Sequence, residues 1–155
     1  MKHKLDFIDH QIISLLQENA RMSLKQIAAR VYLSSPAASA RMCRLEKEGY
    51  ITGFHASINR EMMGYPVKAF VTLAVDTGRK DEFLSYMVQC RNVVECNCIS
   101  GDYAMLLEVV YPSTEELEQF VGQLQQYGKT QTQIVFSTAI ERREPMPELL
   151  IERAG

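Results

Sequence analysis

The chain has 155 residues, 46% of them hydrophobic and 23% charged, with a net charge of −2. This is long enough for two small domains, each near the lower limit for an independent core, and the composition is that of a globular protein. With no secretory leader and no bilayer-length apolar run, a cytoplasmic protein without membrane contact is expected, and Cys43, Cys90, Cys96 and Cys98 do not form a small disulfide framework.

Charge is unevenly distributed along the chain. Residues 1–60 carry nine basic and five acidic side chains, a balance of +4, and the remainder carries eight and fourteen, a balance of −6. Only the first half is therefore expected to meet a polyanion.

Leu5, Ile8, Ile12, Leu15 and Leu16 predict a first helix from about Asp6 to Glu18. Ser23 caps a second helix, with Gln26 completing a capping box and Leu24, Ile27, Ala28 and Val31 forming its apolar stripe. Tyr32, Leu33 and Ser34 make a turn. Ser35 reads as the next N-cap, with Pro36 in the first helical position and Gly49 past the end. With Ala38, Met42 and Leu45 inward, Arg41, Arg44 and Lys47 are expected on the outer face. This is how a helix-turn-helix offers its second helix to the DNA major groove. An ordinary helical hairpin with a solvated charged face is the competing explanation. Tyr50 to Ile58 alternates as a strand leaving the helical domain, and Asn59 to Pro66 reads as a hinge.

From Val67 the period becomes two. Val67, Ala69, Val71, Leu73 and Val75 predict a strand, and Phe83, Leu84, Met87 and Val88 a helix over about 80–90. Val94, Cys96 and Cys98 share a face of the second strand. Gly101-Asp102 suggests a two-residue type II′ loop, and Tyr103 to Tyr111 a third strand. Ser113 and Glu116 suggest a capping box for a helix with Leu117, Phe120, Val121 and Leu124 inward. Thr132, Ile134, Phe136, Thr138 and Ile140 read as the fourth strand. The fold class is thus α+β: a three-helix helix-turn-helix domain joined to a ferredoxin-like βαββαβ domain. The expected divisions are 1–58 for DNA binding, 59–66 for the hinge, 67–141 for ligand sensing and oligomerisation, and 142–155 for a tail.

Phe70, Ala74, Ile99, Leu106 and Val110, with Thr72 and Glu108, lie on the sheet face away from the helices. That face is too apolar for water, so a second copy is expected to cover it by two-fold symmetry, doubling the helix-turn-helix. Other chemistry is poorly represented. Cys96 and Cys98 share a strand face but read as packed thiols rather than a soft-metal site, and Cys43 lies on the presumed DNA face. The sequence shows no nucleophile–base constellation, P-loop or dinucleotide fingerprint, so no catalytic residue, metal or cofactor is expected.

LDFIDHQIISLLQENARMSLKQIAARV, LSSPAASARMCRLEKEGYITGFHASI, VVECNCISGDYAMLLEV and TQTQIVFS, in this order, resemble the Lrp/AsnC family of bacterial and archaeal transcription regulators over nearly the whole chain. The resemblance implies a sequence-specific regulator of double-stranded DNA, a homodimer that assembles further, for example to an octamer, and a response to amino acids. It places DNA contacts on Lys25, Ser35, Ala37, Ser39, Ala40, Arg41, Arg44 and Lys47, and an effector on Ser100, Gly101, Asp102, Tyr103, Ala104, Thr130 and Thr132. Three departures stand out. Tyr32 replaces a glycine common at the turn. Ala40 and Cys43 occupy places that are often basic, which implies weaker phosphate attraction and more reliance on avidity. Ala104 replaces an aspartate, so altered or lost effector specificity is expected. Two alternatives accompany this reading: an enzyme resembling haem-pathway decarboxylases, and a ligand-sensing partner protein without DNA binding.

Overall fold

The computed structural model describes residues 4–145. The chain divides into two compact units, one comprising the residues up to Ser57 together with those from Arg142 onward, the other Ile58–Glu141.

The first unit contains α1 (Phe7–Glu18), α2 (Leu24–Arg30) and α3 (Ser35–Lys47). Asp6 caps α1 in a reciprocal box with Asp9, and Ser23 caps α2 in the expected box with Gln26. Both boxes satisfy orphan N–H groups at helix starts. The cap of α3 is Ser34 rather than Ser35, which becomes the first helical residue. The Ser34 hydroxyl reaches the Ala37 N–H, and Pro36 still sits where no N–H is required. At the other end Gly49 has φ +76°, and its N–H donates to Glu46 while that of Tyr50 donates to Leu45. This Schellman closure uses the left-handed conformation glycine adopts without strain. Ile12, Leu16, Ile27, Val31 and Leu45 form the core, with Leu5, Ile8, Leu15 and Met42 packed around it.

The expected strand over Tyr50–Ile58 does not form in the single chain. Strands need a neighbour for their ladder hydrogen bonds, and among the described residues no strand pairs with this segment. Phe54 and Ile58 are exposed, as are Met62 and Met63, which therefore do not fill a core.

The second unit contains β1 (Val67–Val75), α4 (Lys80–Gln89), β2 (Val93–Cys98), β3 (Met105–Tyr111), α5 (Thr114–Leu124) and β4 (Gly128–Ile134). The sheet order is β2-β3-β1-β4 with every pair antiparallel, as the split βαβ plan requires. Ala69, Val71, Leu73, Met105, Leu107 and Val109 pack against Phe83, Met87, Leu117, Phe120 and Leu124 of the helices. Gly128 opens β4 at φ +149°, and a Cβ there would lie 1.9 Å from the Ala74 carbonyl oxygen. Only glycine permits that approach.

Several boundaries differ from expectation. A bulge between Val93 and Glu95 turns Val94 outward and gives its inward place to Val93. Val88, near the end of α4, faces solvent. The β2–β3 connection is not a two-residue loop but runs from Ile99 to Ala104, closed by the Ile99 N–H donating to the Ala104 carbonyl. Ser113 caps α5 through the Glu116 N–H alone, without the reciprocal bond of a full box. β4 stops at Ile134 instead of running through Ile140. Its partner β1 begins at Val67, so after Val135 bonds Lys68 little strand remains to pair with, and Phe136 and Ile140 are exposed.

Candidate nucleic-acid interface and effector loop

α3 rests on α2 and α1 through Ala38 and Leu45, both fully buried, and half-buried Met42. Its exposed side chains are Pro36, Ala37, Ala40, Cys43, Glu46 and Lys47. Lys25 on α2 is exposed, and Ser35 and Ser39 are half-buried.

Arg41 and Arg44 are not on the outer face. An α-helix turns about 100° per residue, so a row at intervals of three falls about 60° short of a full turn each time. The row Arg41–Arg44–Lys47 therefore winds from the edge of the core to open solvent. Arg41 donates to Asp9 Oδ1 at 2.8 Å and to Asp6 Oδ2 at 2.6 Å, and Arg44 donates to Asp9 Oδ1 at 2.6 Å. Asp9 is fully buried, whereas the arginine side chains keep about a quarter of their surface. Two cations of the second helix-turn-helix helix thus converge on one buried carboxylate at the start of α1. Burial opposes ionisation of Asp9, but the bonds from Arg44, the Asp6 N–H and Arg41 outweigh it and hold the carboxyl at about 2. Burial likewise raises Asp6, and the Asp9 N–H and Arg41 overcome that to give a net lowering.

The turn before α3 contains Tyr32 at φ +55° with its ring 94% exposed. A non-glycine residue in this conformation costs about 1 kcal/mol, and the exposed ring recovers none of that by packing.

The expected effector residues fall in two places. Ser100 to Ala104 lie in the β2–β3 loop, where Gly101 has φ +109° and Tyr103 is half-buried. Thr130 and Thr132 lie on β4 opposite Leu73 and Val71. Leu73 in turn pairs with Met105, where the loop rejoins the sheet. Both groups are at one end of the sheet, two strand spacings or about 10 Å apart within a chain. On the opposite face Phe70, Leu106 and Val110 are half-buried, and Lys68 pairs with Glu108 at 2.7 Å. All four cysteines are free thiols, and Cys98 Sγ lies 3.7 Å from Met105 Sδ. Among the described residues no helix is long and apolar enough to cross a membrane.

A helix-turn-helix unit followed by a split-βαβ domain defines the two-domain class of DNA-binding transcriptional regulators that carry a ligand-sensing module. Residues 5–52 match the winged helix-turn-helix DNA-binding family, and residues 68–145 match the Lrp/AsnC ligand binding domain. The transcriptional regulator FL11 of Pyrococcus furiosus is 33% identical over 147 residues, covering 93% of this chain and 97% of that protein. LrpA of Bacillus subtilis is 30% identical over 132 residues, covering 84% and 97%. The structure of B. subtilis LrpC superposes with a TM-score of 0.86 at 28% identity, over 90% of this chain and all of that one. A feast or famine regulatory protein of M. tuberculosis, solved with L-methionine, also gives a TM-score of 0.86 at 28% identity, over 93% of this chain and 100% of that one. The chain belongs to the Lrp/AsnC family.

Proposed function

We propose that this regulator acts in the cytoplasm as a homodimer, assembling further to an octamer-like oligomer, and that an amino acid or related small molecule modulates its grip on double-stranded DNA. The observation that carries the DNA part is the capped, exposed α3 beside the exposed Lys25 of α2. The contact set expected from the sequence is Lys25, Ser35, Ala37, Ser39, Ala40, Arg41, Arg44 and Lys47, of which Arg41 and Arg44 are given a different role below. Assembly is supported by the apolar outer face of Phe70, Leu106 and Val110 and by the exposed Phe54 and Ile58.

The effector is assigned to Ser100, Gly101, Asp102, Tyr103 and Ala104 of the loop with Thr130 and Thr132. The loop presents backbone N–H groups to a carboxylate, Asp102 pairs an α-ammonium group, and the threonine hydroxyls donate and accept. Their separation within a chain fits a site closed by a neighbouring copy. Support comes from the M. tuberculosis relative solved with L-methionine. Ala104 contributes no carboxylate, so a changed specificity is expected. No cofactor and no catalytic step enter this reading, which is supported by relatives named as transcriptional regulators.

A mobility-shift assay on the region upstream of its own gene tests DNA binding. A thermal-shift panel of amino acids tests the effector, because a ligand at 100 times its Kd stabilises by about 2.7 kcal/mol. Leucine sensing that survives mutation of Asp102 and Thr132 would move the site elsewhere.

A further inference from the structure

We infer that Arg41 and Arg44 serve DNA recognition as positioning residues, clamping α3 to the buried carboxylate of Asp9, and that the surface entering the groove is the small-residue strip Pro36, Ala37, Ala40 and Cys43 with Lys47 at its end. The inference rests on the DNA-binding reading above and assigns the parts within it.

Three observations carry it. Both guanidinium groups are engaged: the bonds from Arg41 and Arg44 to Asp9 are 2.8 and 2.6 Å, and Arg41 adds a 2.6 Å bond to Asp6. Asp9 is fully buried, so releasing the arginines to bases or phosphates would strand an uncompensated carboxylate in the interior. The residues that do project from α3 are small, apart from Glu46 and Lys47.

Charge-assisted bonds suit a positioning role because they are directional. Leu45 and Ala38 tolerate a helix that slides or rolls slightly, since apolar contact has no preferred angle. Two planar donor groups meeting one carboxylate, itself fixed in the α1 capping box, set the rotation of α3 about its own axis. That rotation decides which side chains face the bases. A strip of small side chains lets the helix backbone come close to the groove floor, where alanine contacts the thymine methyl group.

The two roles make opposite predictions for one substitution. Asp9→Asn removes the charge that holds both guanidinium groups, freeing Arg44 and leaving Arg41 only its bond to Asp6. If the arginines touch DNA, the full-length variant binds more tightly. If they position α3, it binds more weakly, by about tenfold, the coupling typical of residues in one network. The probe is a duplex enriched by the wild-type protein from a random-sequence pool, with affinity measured from low to moderate salt. Arg44→Gln supplies a second readout. A lost phosphate contact lowers the slope of log affinity against log salt by about 0.9 per arginine, whereas a lost positioning bond weakens binding at unchanged slope. Circular dichroism confirms that each variant is folded. Should Asp9→Asn fail to fold, the slope for Arg44→Gln decides alone, and Ala40→Glu, on the exposed strip, must abolish binding. Tighter binding by Asp9→Asn, a reduced slope for Arg44→Gln, or full affinity in Ala40→Glu would overturn the assignment while leaving the DNA-binding reading intact. A wild-type protein that enriches no sequence overturns both.

Discussion

The two units of this chain are held together by different means. In the sheet unit Val71, Leu73, Leu107 and Val109 meet Phe83, Phe120 and Leu124, and the contact is apolar throughout. In the helical unit the apolar centre is smaller, and α3 is joined to α1 by a buried aspartate shared between two arginines. Apolar burial gives magnitude without direction; charge-assisted bonds give direction at a desolvation cost. The contrast fits the work assigned to each. A sheet that supports assembly needs stability, and a helix that reads DNA needs a fixed orientation.

The largest expected effect falls on the apolar side. Phe83→Ala removes a fully buried ring and should cost about 3–5 kcal/mol. Hydrogen exchange should then show β1, β3 and α4 losing protection while α1 to α3 keep theirs. Loss of protection in both units would break the comparison, because it would mean that they unfold as one.

Gly128→Ala is a backbone test of the same unit. Its Cβ would fall 1.9 Å from the Ala74 carbonyl oxygen, so β4 must shift away from β1, at about 2–3 kcal/mol. Urea denaturation measures it. A neutral substitution would show β4 to be peripheral to the fold.

The helical unit should respond to acid instead. The Asp9 carboxyl is lowered from 3.8 to about 2, so its stabilisation is fully present above pH 4 and is lost as pH falls through about 2. The corresponding loss is about 2 kcal/mol at 1.36 kcal/mol per unit. Denaturation of the helices between pH 5 and pH 2 should follow this curve, and Asp9→Asn should flatten it. A curve unchanged by Asp9→Asn would assign the acid sensitivity to other carboxylates.

The smallest effect concerns the turn. Tyr32→Gly relieves a left-handed residue but frees the unfolded chain, so a gain of at most about 1 kcal/mol is expected in thermal denaturation. A loss would show that the freedom glycine gives the unfolded chain outweighs the strain relieved at this turn.

How much of this was legible in the sequence depends on range. The Ser23–Gln26 box, the Gly49 helix stop and the alternation of β1 are local patterns, and each forms as expected. The Asp9 clamp is not local. It joins residues 32 and 35 positions apart, and spacing along α3 cannot show which of its flanks meets α1. A sign was available in the Asp6–Asp9 spacing, which also marks the α1 cap. Strand ends were misplaced for a related reason. Alternation continues through Phe136 and Ile140, but pairing stops where β1 runs out. The segment from Tyr50 to Ile58 has the alternation of a strand but joins no sheet among the described residues. Of the candidate site, the positions on α3 and in the 100–104 loop could be located from sequence, but not which arginines are already engaged.

The strand order has a consequence for synthesis on the ribosome. β1 lies between β3 and β4, and its Ala69 pairs with Ile134, so one flank stays unpaired until the end of the sheet domain has been translated and released from the exit tunnel. Among the described residues, the helical core and the Asp9 clamp are made by residues up to Ile51. Domains that emerge first generally fold first. The nascent chain would therefore carry a finished helix-turn-helix unit while the sheet domain, proposed above to pair with a second copy, is still incomplete. Under the homodimer proposed above, pairing and the avidity it gives to operator binding would come only with finished chains.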